Sequence, residues 1–120
     1  MRLDPEVAEV GKLRGNTDLD IDKIREHIAK REFKITDHAF EEMKADNLSF
    51  RDIMKVIMSG AIIENYPAAY PLPACLINGN AGNGEPVHVC VSLPPLVKVI
   101  TVYRPDIAKW TNDFKKRRLK

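Results

Sequence analysis

The chain has 120 residues, 44% of them hydrophobic and 30% charged, with a formal net charge of +2. That size and balance suit one soluble domain with a single core. No apolar run approaches the roughly 20 residues that a membrane span needs, and the charge falls short of the basicity of an overt nucleic-acid-binding domain.

The first stretch, MRLDPEVAEV, has acids and a proline where a secretion signal would carry a basic patch and an apolar run. A cytoplasmic location is the expectation, and Cys75 and Cys90 are expected as free thiols. There is no CxxC, so thioredoxin-type and zinc-ribbon readings are weak. Residues 1–18 show no sustained period and are expected to form a loosely ordered N-terminal extension, followed by a single domain over 19–120. From Asp20 the period turns helical, with Ile21, Ile24 and Ile28 on one stripe. EFKIT is a short strand or a linker. Thr36 or Asp37 can cap a second helix, because either side chain can accept from a free backbone N–H; that helix is expected to bury Phe40 and Met43.

NLSFRDIMKVIMSG is the clearest element. Ser49 and Asp52 form a capping-box pattern, and Phe50, Ile53, Met54, Ile57 and Met58 recur as a buried helix face does. Gly60 is a natural stop. After it the period changes to two. AIIENY, ACLIN, VHVCVS and VKVITVY read as strands, with GNAGNGEP as a hairpin tip. Its glycines lack the lysine and the following helix of a phosphate-binding loop. Asp106 can cap a last helix with Ile107, Trp110 and Phe114 inward. The predicted class is α+β, with N-terminal helices packed on one face of a four-stranded antiparallel sheet and a C-terminal helix.

On VHVCVS the valines Val87, Val89 and Val91 share one face, expected to meet the helices. His88, Cys90 and Ser92 share the other, expected to be open. If Ile100 and Val102 join the valine face, Thr101 and Tyr103 lie beside His88. His38, at a helix start, is the second candidate proton carrier, and Glu42 one turn on can pair with it. The bland alternative for each histidine is a structural one. His38, His88, Cys75 and Cys90 are zinc-ligand types, but no pair has a recognisable ligand spacing. The closing stretch KKRRLK is either a solvated tail or a phosphate-contacting patch.

The blocks DHAFEEM…LSFRDI, SGAIIENYP, PACLING, PVHVCVS and ITVYRPDIAKWTNDFKKRR resemble the bacterial family called domain of unknown function 4258, over roughly residues 33 to 118. The resemblance implies a small toxin of a toxin–antitoxin pair, encoded beside a zinc-finger antitoxin, with a fold similar to RelE-like and MqsR-like ribonucleases. The family's shared histidines fall on His38 and His88. Its helix tends to carry arginines where this chain has Glu42 and Asp46, and those carboxylates would repel phosphate. The implied chemistry is metal-independent RNA cleavage by 2′-hydroxyl attack, with no cofactor. His38 and His88 would carry protons, Tyr103 would position or donate, and Arg104 would stabilise charge. Lys98, Arg117 and Arg118 would grip RNA. The rival reading is a non-catalytic protein- or RNA-binding module.

Overall fold

The computed structural model describes residues 12–119. Helix α1 (Lys12–Ala29) buries Ile21, Ile24 and Ile28, the stripe its period predicts. It reaches back to Lys12 and so takes in residues 12–18 of the expected extension, whose residues 1–11 lie outside the described residues. Arg25 ties α1 to α3 (Phe50–Ser59), donating to the Ile57 carbonyl at 2.9 Å and the Gly60 carbonyl at 2.7 Å. These bonds satisfy acceptors that the end of a helix leaves free.

EFKIT does form a strand, β1 (Lys34–Ile35). Thr36 then caps α2 (Asp37–Ala45), accepting from the Ala39 N–H at 3.0 Å. Ala39 and Met43, one turn apart, face the core. Phe40 does not, against expectation. The next position on a helix is rotated by about 100°, which leaves Phe40 51% exposed beside the Lys44 ammonium. In α3 the capping box is complete, with Ser49 and Asp52 bonded reciprocally. Ile53, Val56 and Ile57 form its buried face, while the expected core residues Phe50 and Met58 sit at its margins, half exposed. Phe50 stacks on Phe33 instead.

Four strands follow: β2 (Ala61–Tyr66), β3 (Ala74–Asn80), β4 (Pro86–Ser92) and β5 (Lys98–Tyr103). The sheet has five strands, not four, in the order β1-β5-β4-β3-β2. β2 to β5 are antiparallel neighbours, and β1 runs parallel to β5. The architecture is mixed α+β, with three helices and one open five-stranded sheet. Val87, Val89 and Val91 join Ile53, Val56 and Ile57 in the core on the helix side, as their alternation predicts.

The parity of β5 is more complex than simple alternation. Cys90 pairs with Thr101 and Val91 with Val99, so Ile100 is an extra residue with no partner. Such a bulge switches the facing of everything beyond it. Val99 and Val102 therefore both face the helices, and Ile100 faces away with Cys90. Thr101 and Tyr103 do lie opposite Cys90 and His88.

The expected C-terminal helix is absent. Trp110 N–H reaches back to the Asp106 carbonyl for one turn only. Local side chains then compete for the backbone, which is how Asp and Thr stop helices. Asp106 accepts from Ala108 N–H, and Asp113 from Lys115 N–H and the Thr111 hydroxyl. Phe114 has φ 62, and Trp110 pairs with Arg117 as an isolated bridge. The result is an irregular strap over the second face of the sheet. Trp110 is buried there with Ala74, Leu76 and Cys90, and Phe114 packs against the same cluster.

Gly60, just past the end of α3, lies hard against the backbone of β3. Its φ of −85 suits any residue, yet a Cβ there would fall 2.4 Å from the Asn78 carbonyl oxygen and 2.5 Å from that of Val56. Both obstacles are backbone. Gly60→Ala is expected to destabilise the fold by about 1–3 kcal/mol, read as a lower urea midpoint with an unchanged slope.

Candidate functional site

The bulge and the strap together build a cleft of about 380 Å³. Tyr103, Arg104, Asp106, Lys109, Trp110 and Arg117 line it. β5 delivers Tyr103 on the strap side of the sheet, opposite His88 on β4. The strap delivers Lys109, Trp110 and Arg117.

His88 lies behind this lining and is 0% exposed. The face expected to be open is closed by the strap. The Trp110 ring stands edge-on to the imidazole at 4.5 Å between centroids, and the Tyr103 ring at 5.2 Å. Both ring nitrogens are engaged: Nδ1 is 3.1 Å from the Tyr103 hydroxyl and Nε2 is 2.8 Å from the Phe114 carbonyl. Burial disfavours the imidazolium and holds His88 below the ordinary histidine value; the Phe114 carbonyl and the charge of Glu64 act the other way. Burial likewise pushes the Tyr103 phenol up.

The cations differ in how they are held. Arg117 bonds Glu64 through two nitrogens, at 2.9 and 3.1 Å, and its guanidinium lies 4.6 Å from the Trp110 ring centroid. Burial alone would raise Glu64, but bonds from Arg117 and Tyr66 outweigh it and leave the carboxyl low. Arg104 bonds Glu85 at 2.6 Å and donates twice to the Asp46 carbonyl. Lys109 is exposed at the cleft.

His38 is elsewhere. It stands on the first turn of α2, its side chain 70% exposed and its Nε2 3.3 Å from the Glu42 carboxylate, and it does not line the cleft. Glu42 accepts from the Thr101 hydroxyl and from Val102 N–H. It therefore caps the edge of β5 beyond β1, where a strand would otherwise leave a free donor. Its charge is committed to the fold, and neither it nor Asp46 lines the cleft. Lys98 sits at the start of β5, its N–H bonded to Ser92. Arg118 bonds the Ile107 carbonyl and Asn112 and borders a separate hollow on the strap. Of the predicted residues, Tyr103, Arg104 and Arg117 meet in the cleft with His88 beneath them; His38, Lys98 and Arg118 do not line it.

Glu64, Lys109 and Trp110 were not predicted as site residues. Trp110 followed the apolar stripe of a helix that does not form, and nothing in the period of β2 ties Glu64 to Arg117. The zinc reading fails on geometry. Cys75 belongs to the helix-side core and Cys90 to the strap-side cluster. Among the described residues no group of three or more His, Cys, Asp or Glu side chains is gathered. Both cysteines are buried, which pushes Cys75 up to about 12 and Cys90 up to about 11. Neither is a ready thiolate.

The family model for the domain of unknown function DUF4258 matches residues 35–104. The chain belongs to that family. The DUF4258 match runs from Ile35, the end of β1, through Arg104, and takes in His38, His88 and Tyr103, while Lys109, Trp110 and Arg117 lie beyond it. No curated protein and no solved structure gives a significant match. No described helix is long and apolar enough to cross a membrane.

Proposed function

We propose that this DUF4258 protein is an endoribonuclease that cleaves RNA by attack of a 2′-hydroxyl on the neighbouring phosphate. The carrying observation is a titratable Tyr103–His88 pair opening into a cleft that also presents Arg104, Lys109 and Arg117. The reaction needs a base for the 2′-hydroxyl and positive charge for the phosphorane, and no metal. Positioned cations serve the second task, because they sit where charge develops on the phosphorane. Tyr103 faces the ligand, and His88 acts through it. His38, outside the cleft, has no direct part in this route.

The toxin role, a zinc-finger antitoxin as partner, a RelE-like cast to the fold and a cytoplasmic setting belong to the same proposal. Their support is the resemblance in the sequence blocks and the placing of helices before an antiparallel run of strands. Two observations favour the rival reading, a non-catalytic protein- or RNA-binding module: Arg104 is already bonded to Glu85 and Asp46, and His88 is sealed.

The test is purified full chain with RNA in chelator. Cleavage to 2′,3′-cyclic phosphate and 5′-hydroxyl ends is expected. Expression should arrest growth with cut transcripts, an effect lost in His88→Ala and kept in His38→Ala. RNA binding without cleavage leaves the binding module standing. In either reading, Lys109→Ala should flatten the log–log salt dependence of RNA affinity by about 0.7 for the phosphate contact removed, measured by fluorescence titration.

A further inference from the structure

The bonds to His88 have a direction. A carbonyl oxygen can only accept, so the Phe114 carbonyl at 2.8 Å requires a proton on Nε2. In the neutral ring Nδ1 is then a lone pair, and the group 3.1 Å from it, the Tyr103 hydroxyl, must donate to it. We infer that Tyr103 and His88 form a proton relay for ligands in the cleft, with the Phe114 carbonyl as the group that fixes its direction. The backbone carbonyl does for this imidazole what a carboxylate does in a nucleophile–histidine–acid triad: it selects the tautomer and holds the ring. Tyr103 is the ligand-facing residue. His88 and Phe114 are positioning residues.

Phe114 holds its carbonyl there at a cost. It is a non-glycine residue at φ 62, a conformation that persists only where surrounding contacts enforce it. Those contacts are present: Phe114 N–H bonds the Thr111 carbonyl, and Lys115 N–H bonds Asp113. Arg117, three residues on, clamps the strap to Glu64 on β2. The strap is thus anchored on both sides of the carbonyl. The charged and titratable groups around the ring are Glu64 from β2, Tyr103 from β5 and Arg117 from the strap.

The relay rests on the ribonuclease reading only for its substrate. With RNA in the cleft, the 2′-hydroxyl proton passes to the Tyr103 oxygen as the Tyr103 proton passes to His88 Nδ1. The 2′-oxygen–phosphorus bond forms and the bond to the 5′-oxygen breaks, and water protonates the departing oxygen. The His88 proton then returns through Tyr103 to solvent, so no net proton is consumed.

The experiment is ring-nitrogen NMR on full-length chain with ¹⁵N-labelled histidine, at neutral pH and without RNA. His27→Ala and His38→Ala assign the other two rings. The expected result for His88 is a neutral ring protonated on Nε2, with an Nδ1 signal that moves in Tyr103→Phe while the Nε2 proton stays. Phe114→Gly, which tolerates positive φ, should keep that tautomer. Phe114→Pro, which cannot adopt it, should lose the preference. A ring protonated on Nδ1, a cation at neutral pH, or an Nδ1 signal indifferent to Tyr103→Phe overturns the relay. These spectra are read without substrate, so absent RNA cleavage beside the expected tautomer defeats the ribonuclease reading and leaves the relay in place.

Discussion

Trp110→Ala is expected to destabilise the protein by about 3–5 kcal/mol and to open one thiol selectively. Trp110 is only 3% exposed and is the largest side chain in the strap-side cluster. It covers the His88 ring, supports Arg117, and closes over Cys90 and Leu76. Its removal takes away the ring under Arg117 and lets water reach the second face of the sheet. Cys90, held near 11 by burial, should fall toward the free-thiol value of about 8.5 and react with a thiol reagent. Cys75, on the helix side of the same sheet, should stay closed and near 12. Mass spectrometry of chain labelled under native conditions checks this. Trp110→Phe keeps an aromatic cover and should label Cys90 far less. Equal labelling of both cysteines in Trp110→Ala would show that the strap and the helix-side core open together, against the separation proposed. A change this large takes up much of the 5–15 kcal/mol typical of a whole domain, so labelling belongs well below the melting temperature.

The helix side of the fold was legible because it rests on short-range rules. Ser49 and Asp52 announce the start of α3, and Gly60 its end. The valines of β4 alternate without interruption, and the structure buries them as alternation demands. The strap side was not legible, and the reasons are particular. The bulge at Ile100 leaves no mark in VKVITVY, where both faces are apolar, so the split of Val99, Ile100 and Val102 is fixed only by the partner strand. Ile107, Trp110 and Phe114 have helical spacing, yet Asp106, Thr111 and Asp113 accept from the backbone N–H groups of Ala108, Lys116 and Lys115 and the period goes unused. That one difference converts an open histidine face into a sealed one. It also moves the charged cleft onto residues the period had hidden. His88 and Tyr103 could be paired from strand order, whereas Glu64 with Arg117, and Phe114 with His88, depend on where an irregular segment lands. Glu42 shows the reverse effect. An acid that looked hostile to phosphate on an RNA-binding helix is occupied in capping the edge of β5.

Tyr103→Phe is expected to lower RNA cleavage about 10²–10⁴-fold, the usual range for a positioned acid–base group, with a much smaller loss of stability. The ring survives, along with its edge-on contact to His88; only the hydroxyl goes. Single-turnover cleavage measures the first effect and a denaturant midpoint the second. The pH profile separates a relay from a purely structural tyrosine. In the proposed relay the working form of His88 is the neutral one, so activity should rise with pH as the ring loses its proton. Burial lowers the folded-state value of His88, which places that rise below the ordinary histidine pKa of about 6.5. Stability follows the same sign. The unfolded chain binds the His88 proton more readily than the folded one, so this contribution is complete above about 6.5 and is lost as pH falls through the lower folded value. Trp110→Phe, which admits some water beside the ring, should move the activity limb upward toward 6.5. A limb that ignores the change at Trp110 would mean that some other group is titrating. If Tyr103→Phe cleaved RNA at the wild-type rate with the wild-type profile, the phenol would be a wall of the cleft and nothing more.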